Sequence, residues 1–290
     1  MYPFALITDS TIDETAAYFS QNDIGCAPLA FTIDGRTIEE DCGQTVSFHQ
    51  FYDLLREGKL PVTSQAKLET FLTPFSAPRW KPGRTCCTSA FPPAFRVRST
   101  RAAWHATSLP RFFPARKIIC IDSLSATGGE YLLVDKAREM RDSGCTIEVT
   151  AAAVEQMRLH VIHLITVNDL GHLHRGGRLS KTSAVVGGLL GIKPVIWVDN
   201  AGKLDVGCKI RGRQKSISYL AERTLREMTD RNQVVRICHG DCLEDARQLA
   251  ALLDAHGVRS DIRYIGTVIG SHTGPGVLTA FFFGGDRKPE

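Results

Sequence analysis

Two apolar runs in this chain, Phe4-Ala5-Leu6-Ile7-Thr8 and Lys117-Ile118-Ile119-Cys120-Ile121, stop abruptly at the pairs Asp9-Ser10 and Asp122-Ser123. A short unbroken apolar run reads as a strand buried on both faces, as in a parallel sheet covered by helices. Helical patterns separate these runs. Ser10 or Thr11 can cap a helix through Asp13-Glu14. Ser47 is a candidate cap for a helix reaching Glu57, with Phe48, Phe51, Leu54 and Leu55 at helical spacing. Glu130 to Arg141 reads as another helix, and Ile24 to Ile33 as extended chain. Strands and helices alternating in this way predict an α/β fold whose first sheet is mostly parallel. Ligand loops of such sheets lie at the carboxyl ends of the strands, where Thr8-Asp9-Ser10 and Asp122-Ser123 stand.

The second half changes character. Leu159 to Thr166, Ile192 to Val198, Leu204 to Ile210, Val234 to His239 and Ile262 to Ile265 read as strands, with a helix from Glu244 to Leu253. Asp199-Asn200-Ala201-Gly202 is a hairpin turn signal. A second α/β domain with a mixed sheet is expected, and 290 residues at 43% apolar suffice for two cores. The division is placed at 153/154, giving domains 1–153 and 154–290.

Charge excludes little but points away from nucleic acid. The surplus is +4, from 35 basic against 31 acidic residues, and no long basic run exists. No stretch reaches the roughly 18–20 apolar residues of a membrane span. Met1 to Ser10 lacks a basic segment before its apolar run, so it reads as a core strand and the expected location is cytoplasmic. Nine cysteines with irregular spacing form neither a disulfide framework nor a zinc site.

Four segments carry chemistry. Thr63-Ser64-Gln65, read as a loop after a helix, offers hydroxyls and an amide that can bind a carboxylate or phosphate, or else cap the next helix. His172-Leu173-His174-Arg175-Gly176-Gly177-Arg178 is a Gly-flanked basic turn. Histidines two apart do not share a helix face and no third ligand is near, so no metal is expected there. Lys209 to Lys215 reads as a solvated basic face. Gly270-Ser271-His272-Thr273-Gly274-Pro275-Gly276 reads as a loop after an apolar strand, where glycines permit close approach to a ligand and Ser271, His272 and Thr273 can form a polar cluster.

Taken in order, these strings resemble the DegV family. The matching pieces are Ile7-Thr8-Asp9-Ser10-Thr11, Tyr52-Asp53-Leu54-Leu55, Thr63-Ser64-Gln65, Asp122-Ser123-Leu124-Ser125 with Gly128-Gly129-Glu130, and Asp169-Leu170 leading into Leu173 to Arg178. Further on come Ile192-Lys193-Pro194, Val198-Asp199 with Gly202, Arg211-Gly212-Arg213, His239-Gly240-Asp241 and Ile269 to Gly276. Each string is weak alone; the ordered set covers nearly the whole chain outside residues 77–116. The resemblance implies two α/β domains with a long-chain fatty acid buried in the cleft between them. It implies a carboxylate held by hydroxyls, with Thr63 and His272 at the family's positions and Ser64, Ser271, Asp9 and Ser10 beside them. It implies no catalytic residue, no metal and no cofactor beyond the bound lipid. Some members present the fatty acid to a separate kinase, and Arg175 and Arg178 match the partner-facing turn. Peripheral contact with a membrane surface stays open.

Residues 77–116 depart from the family. They hold six of the 13 prolines, with scattered arginines and no periodicity. Family members carry there an apolar strand and a serine-rich loop of the type S-S-x-L-S-G-T, one serine of which completes the carboxylate clamp. Reading Arg84 to Arg98 from the third base of each codon, the genetic code permits D-V-L-Y-L-S-F-S-S-G-L-S-G-T. Two compensating frame changes are therefore expected, one before about residue 85 and one before about residue 117. Two rival readings stand beside the lipid carrier: a hydrolase or phosphotransferase using Asp9, Asp122 and His272, and a regulatory nucleic-acid-binding module using the Lys209–Lys215 face.

Overall fold

The computed structural model describes residues 2–66, 85–90, 117–179, 191–285 and 287. Its first half runs β1 (Phe4–Asp9), α1 (Ala16–Gln21), β2 (Ile24–Ala27), β3 (Ala30–Ile33), β4 (Arg36–Glu39), α2 (Phe48–Arg56), β5 (Val62–Ser64), β6 (Thr85–Ala90), β7 (Ile118–Asp122), α3 (Gly128–Asp142) and α4 (Ile147–Met157). The second runs β8 (Val161–Thr166), α5 (Gly171–Arg175), β9 (Ile192–Val198), β10 (Leu204–Arg211), α6 (Arg213–Glu227), β11 (Val235–His239), α7 (Leu243–Asp254), β12 (Ser260–Tyr264), α8 (Thr267–Thr273) and β13 (Leu278–Phe283).

β1 is buried along its whole length, as its unbroken apolar run requires. It lies inside a four-stranded parallel sheet in the order β2-β1-β6-β7. β6 falls within the aperiodic segment 77–116, so a strand stands where none was expected. The rest of that segment lies outside the described residues. Phe4, Leu6 and Ile121 pack with Leu133, Val134 and Ala137 of α3 and Ile147, Ala151 and Val154 of α4. α4 spans the expected division at 153/154 and leads directly into the second sheet.

Two local readings are corrected. The expected helix from Ser10 is a single 3-10 turn, Ser10–Ile12, capped by Asp9, whose carboxylate accepts from the Thr11 backbone N–H at 2.8 Å. Asp13, at φ 56°, ends it in the left-handed region, and α1 starts afresh under a Thr15 cap. The extended stretch Ile24–Ile33 divides between two sheets. After β2 the chain turns at Pro28, and Leu29 N–H donates to the Ser10 hydroxyl at 3.0 Å. β3 then joins a small antiparallel sheet, β4-β3-β5, which packs Phe31 and Ile33 on Phe51, Tyr52 and Leu55 of α2. Ser47 caps α2 as expected, in a reciprocal capping box with Gln50.

The second sheet is six-stranded and mixed, β10-β9-β8-β13-β11-β12, with only β11 and β12 parallel. The Asp199–Gly202 turn joins β9 and β10 as expected. Alternate residues separate two faces. Ile162, Leu164, Ala280 and Phe282 pack under α6 and α7. Ile165, Ile196, Val198 and Phe281 face the other way, toward α5, α8 and the first domain. The domains are joined across this face by a buried ion pair, Glu14–Arg236, and by the Tyr52 hydroxyl, which donates to Ile265 O at 2.9 Å.

Candidate functional site

α8 positions the site. It lies in the second domain, after β12, and packs against β3, β5 and α2 of the first. Helical spacing gives it two working faces. Val268, Ser271 and His272 line an open pocket of about 560 Å3, in which hydroxyl, imidazole and guanidinium groups stand among apolar ones. Ile269 and Thr273 line a narrow apolar cavity of about 30 Å3. α5 and the turn after it divide in the same way: His172, Arg175, Gly176 and Arg178 face the pocket, Leu173 the cavity.

Thr63 and His272 meet across the domains, Oγ1 to Nε2, at 2.8 Å. Thr63 is held by β5, where it pairs with Phe31 of β3; the segment read as a loop is thus a strand at this point. His272 occupies the last turn of α8, where a loop had been expected. Burial, and then the neighbouring Arg178 cation, push its pKa down to about 3, so the ring is neutral at physiological pH. With its proton on Nε2, His272 donates to Thr63 Oγ1 and leaves the hydroxyl proton for an anion in the pocket. Gly176 permits the close packing behind the ring, since a Cβ there would lie 2.6 Å from His272 Nδ1.

Arg178 supplies charge. It is half-buried, donates to Gly176 O, and burial lowers its pKa without removing its cation. Arg175 is exposed at the rim. Both arginines were expected to face a partner; the structure brings both into the lining of the Thr63–His272 pocket, Arg178 the deeper. Ser64 and Ser271 also line it, Ser271 with its hydroxyl donated to Thr267 O at 2.7 Å.

Asp9 and Ser10 do not line this pocket. Asp9 is buried in the cap described above, accepts from the Thr11 hydroxyl at 2.5 Å, and is raised to about 6 by burial. Ser10 donates to Glu40 at 3.1 Å. Glu40 in turn accepts from the Thr267 hydroxyl at 2.9 Å and Val268 N–H at 3.3 Å, so these groups tie β1 to the start of α8. β6 lies between β1 and β7, which sets Asp9 and Asp122 two strands apart, roughly 10 Å. Each carboxylate is used locally: Asp9 accepts from the Thr11 N–H and hydroxyl, and Asp122 accepts from Leu124 N–H at 3.0 Å. His49, Asp53 and Asp241 do come together, but Arg56 pairs with both carboxylates, at 2.7 and 2.6 Å. Lys209 and Arg211 stand exposed on edge strand β10, where charge guards an open edge, and Arg213 is spent on Asp245 and Gly276 O.

The apolar cavity was missed by sequence reading. Besides Leu173, Ile269 and Thr273 it is lined by Leu124, Ile165, Ile196, Val198 and Phe281. For Ile165, Ile196, Val198 and Phe281 the signal is alternation along β8, β9 and β13, which a strand's core face would also give. Arg287 was missed too. Buried, it donates to Leu124 O at 2.8 Å and to Ser125 Oγ at 3.0 Å, tying the chain's end to the β7–α3 turn.

A family model described as "Uncharacterised protein, DegV family" matches residues 3–284. The chain belongs to the DegV family. It is 35% identical to a DegV domain-containing protein of Clostridium perfringens, over 100% of both chains. It is 28% identical to a fatty acid binding DegV family protein from Streptococcus agalactiae, whose crystal structure matches at TM-score 0.81 over 98% of this chain and 99% of that one. A DegV family protein from Thermus thermophilus, whose solved structure is described under its fatty acid binding, is 22% identical and shares the fold, at TM-score 0.84 over 97% of this chain and 99% of that one. Among the described residues no DegV helix here is long and apolar enough to cross a membrane.

Proposed function

We propose that this chain binds a long-chain fatty acid, with the carboxylate at Thr63 and His272 and the acyl chain in the apolar cavity, and presents the carboxylate to a separate kinase. The observation that carries this is α8, one short helix with a neutral His–Thr pair and a nearby arginine on one side and a largely apolar seam on the other. A carboxylate needs donors and a compensating cation when it leaves water. An acyl chain needs neither, and gains about 0.8 kcal/mol for each buried CH2. The seam is narrow, so a chain that enters parts Leu124, Leu173, Ile196 and Ile269. The fatty acid binding described for the Streptococcus agalactiae relative supports the same reading.

Handover is the finer part of the proposal. Arg175 is exposed at the pocket rim, where a loop can meet another protein, and the family resemblance points to a fatty acid kinase as that partner. Thr63 sits close to this rim, beside exposed Leu60 and Val62, so the carboxylate end is the accessible end. The ligand carries no cofactor with it and the site uses no metal in this reading; the protein acts in the cytoplasm. Native mass spectrometry of the chain purified from cells should show a bound species of fatty acid mass. Loss of that mass after delipidation, and its return on adding stearate, completes the test. A chain that takes up no fatty acid at all refutes the reading. A salt-sensitive complex with DNA would favour the nucleic-acid alternative.

A further inference from the structure

The cavity lining is apolar apart from the hydroxyl residues Ser125, Thr127, Thr273 and Thr279, which can donate hydrogen bonds, and one histidine, which is out of character. β8 is buried throughout and apolar except for His163 and the terminal Thr166. His163 Nδ1 lies 2.9 Å from Val161 O. A carbonyl can only accept, so Nδ1 carries the proton and Nε2 presents a lone pair. That Nε2 is buried and has no hydrogen-bond partner among the described residues. Burial, and then the Arg287 cation, hold the ring well below its usual pKa, so no second proton arrives to change its role. A buried acceptor without a donor is costly and calls for an explanation.

Its position supplies one. His163 lines the cavity together with Leu124, Ile165 and Phe281. β8 leads from His163 through Thr166 toward α5, so the histidine stands roughly 10 Å deeper than the carboxyl end of the strand. The carboxylate pair Thr63–His272 is at the other end. Gly129 of α3 faces the same nitrogen, and a Cβ there would lie 2.5 Å from Nε2. The glycine keeps side-chain atoms off it.

We propose that His163 accepts a hydrogen bond from a hydroxyl in the distal half of the bound acyl chain, so that the cavity takes mid-chain hydroxylated fatty acids without the usual penalty. This rests on the fatty-acid reading above. In a wholly apolar cavity a chain hydroxyl would be stripped of water and left unpaired, and the hydroxylated lipid would bind more weakly than its parent. With an acceptor waiting, the hydroxyl of the ligand and the nitrogen of the protein satisfy each other.

The test compares delipidated wild type, His163→Leu and Gly129→Ala for binding of stearate, 10-hydroxystearate and 12-hydroxystearate. Wild type should hold one of the hydroxylated acids at least as tightly as stearate. His163→Leu, which removes the acceptor, should bind that acid about tenfold more weakly while keeping stearate. Gly129→Ala, which retains the imidazole but crowds Nε2, should show the same selective loss, and it decides the matter if His163→Leu fails to hold stearate. A hydroxyl penalty of equal size in all three proteins overturns the inference, as it would if a trapped water satisfied the ring. If wild type takes up neither stearate nor its hydroxylated forms, the fatty-acid reading has failed and this inference falls with it. Stearate binding with an unchanged hydroxyl penalty overturns this inference alone.

Discussion

Thr63→Val is the sharpest test of the carboxylate clamp, because it removes one hydroxyl and keeps the branched shape that β5 packs. In the free protein the loss leaves His272 Nε2 without its 2.8 Å partner. That nitrogen borders a pocket of about 560 Å3, which admits water, so the cost falls at the low end of the ~1–3 kcal/mol for an orphaned buried group. The unliganded melting temperature should drop by only a few degrees, at about 2–4 °C per kcal/mol for a chain of this size. The liganded protein should suffer more. A hydrogen bond to a charged carboxylate contributes about 1.5–3 kcal/mol, which is roughly 10- to 150-fold in Kd. At a stearate concentration 100 times the wild-type Kd, wild type gains about 2.7 kcal/mol from the ligand, whereas the variant gains about 1.4 kcal/mol or less. Thermal melts with and without stearate read both effects, and Thr63→Ser should restore the ligand-induced shift. A variant whose Kd stays within about twofold of wild type would refute the clamp, whatever happens to the free protein.

The two arginines should separate: Arg178→Ala weakens fatty-acid binding because it removes the cation inside the pocket, whereas Arg175→Ala keeps lipid affinity and slows transfer to a kinase, read by lipid titration beside a phosphorylation assay. Equal loss of both activities in Arg175→Ala would place that residue in the clamp. Glu40→Gln tests the buried carboxyl, which burial raises to about 7 in the folded chain from 4.5. The folded state then holds more protons than the unfolded one between these values, so this group's contribution declines as pH rises from about 4.5 to 7, and the variant should gain stability relative to wild type across that window. Chemical denaturation at pH 5 and pH 7.5 measures the change, and a gap that is flat with pH contradicts it. Resequencing the gene should show one insertion or deletion at each end of residues 85–116, and the restored frame should bind stearate more tightly and melt higher; an unaltered reading frame with full-strength binding by the chain as written would end that idea.

Much of the fold was legible because strands of a helix-covered sheet leave unbroken apolar runs. β1 is buried along its whole length as expected, whereas β7, at the end of the sheet's order, carries the same kind of run yet is buried fully only at Ile121; both strands were found, with the mixed second sheet and its hairpin. The errors came where short polar residues had two uses. Asp9, Ser10 and Thr11 can all cap helices, but Asp9 caps only a 3-10 turn, because Asp13 adopts a left-handed conformation that no local pattern announces. Thr63 was singled out by its family position and its hydroxyl, and the structure places it in the pocket lining beside His272. Its strand was not foreseen, since β5 is three residues long and exists through pairing with β3, thirty residues away. The cavity behind α8 was illegible for a different reason. An apolar residue facing an acyl chain and one facing another side chain obey the same hydrophobic pattern. Only a residue that breaks the pattern, such as His163, could have marked the difference.

β6 joins the sequence anomaly to the fold. Its backbone occupies the centre of the first sheet, hydrogen-bonded to β1 on one side and β7 on the other. An inner strand of a parallel sheet ordinarily carries Val, Ile, Leu or aromatic residues. Thr85-Cys86-Cys87-Thr88-Ser89-Ala90 carries none of them. The shifted frame places Val, Leu, Tyr and Leu over the same positions and the serine-rich string directly after. By topology that string would leave the carboxyl end of β6, the end of a parallel sheet at which ligands are held. The strand that the sheet requires and the strand that the alternative frame encodes thus coincide in position, and the donor predicted to complete the Thr63 clamp falls on the ligand side. For this reason the frame change should alter lipid affinity and stability together: the same substitution of residues fills the sheet's central strand and returns a hydroxyl to the carboxylate.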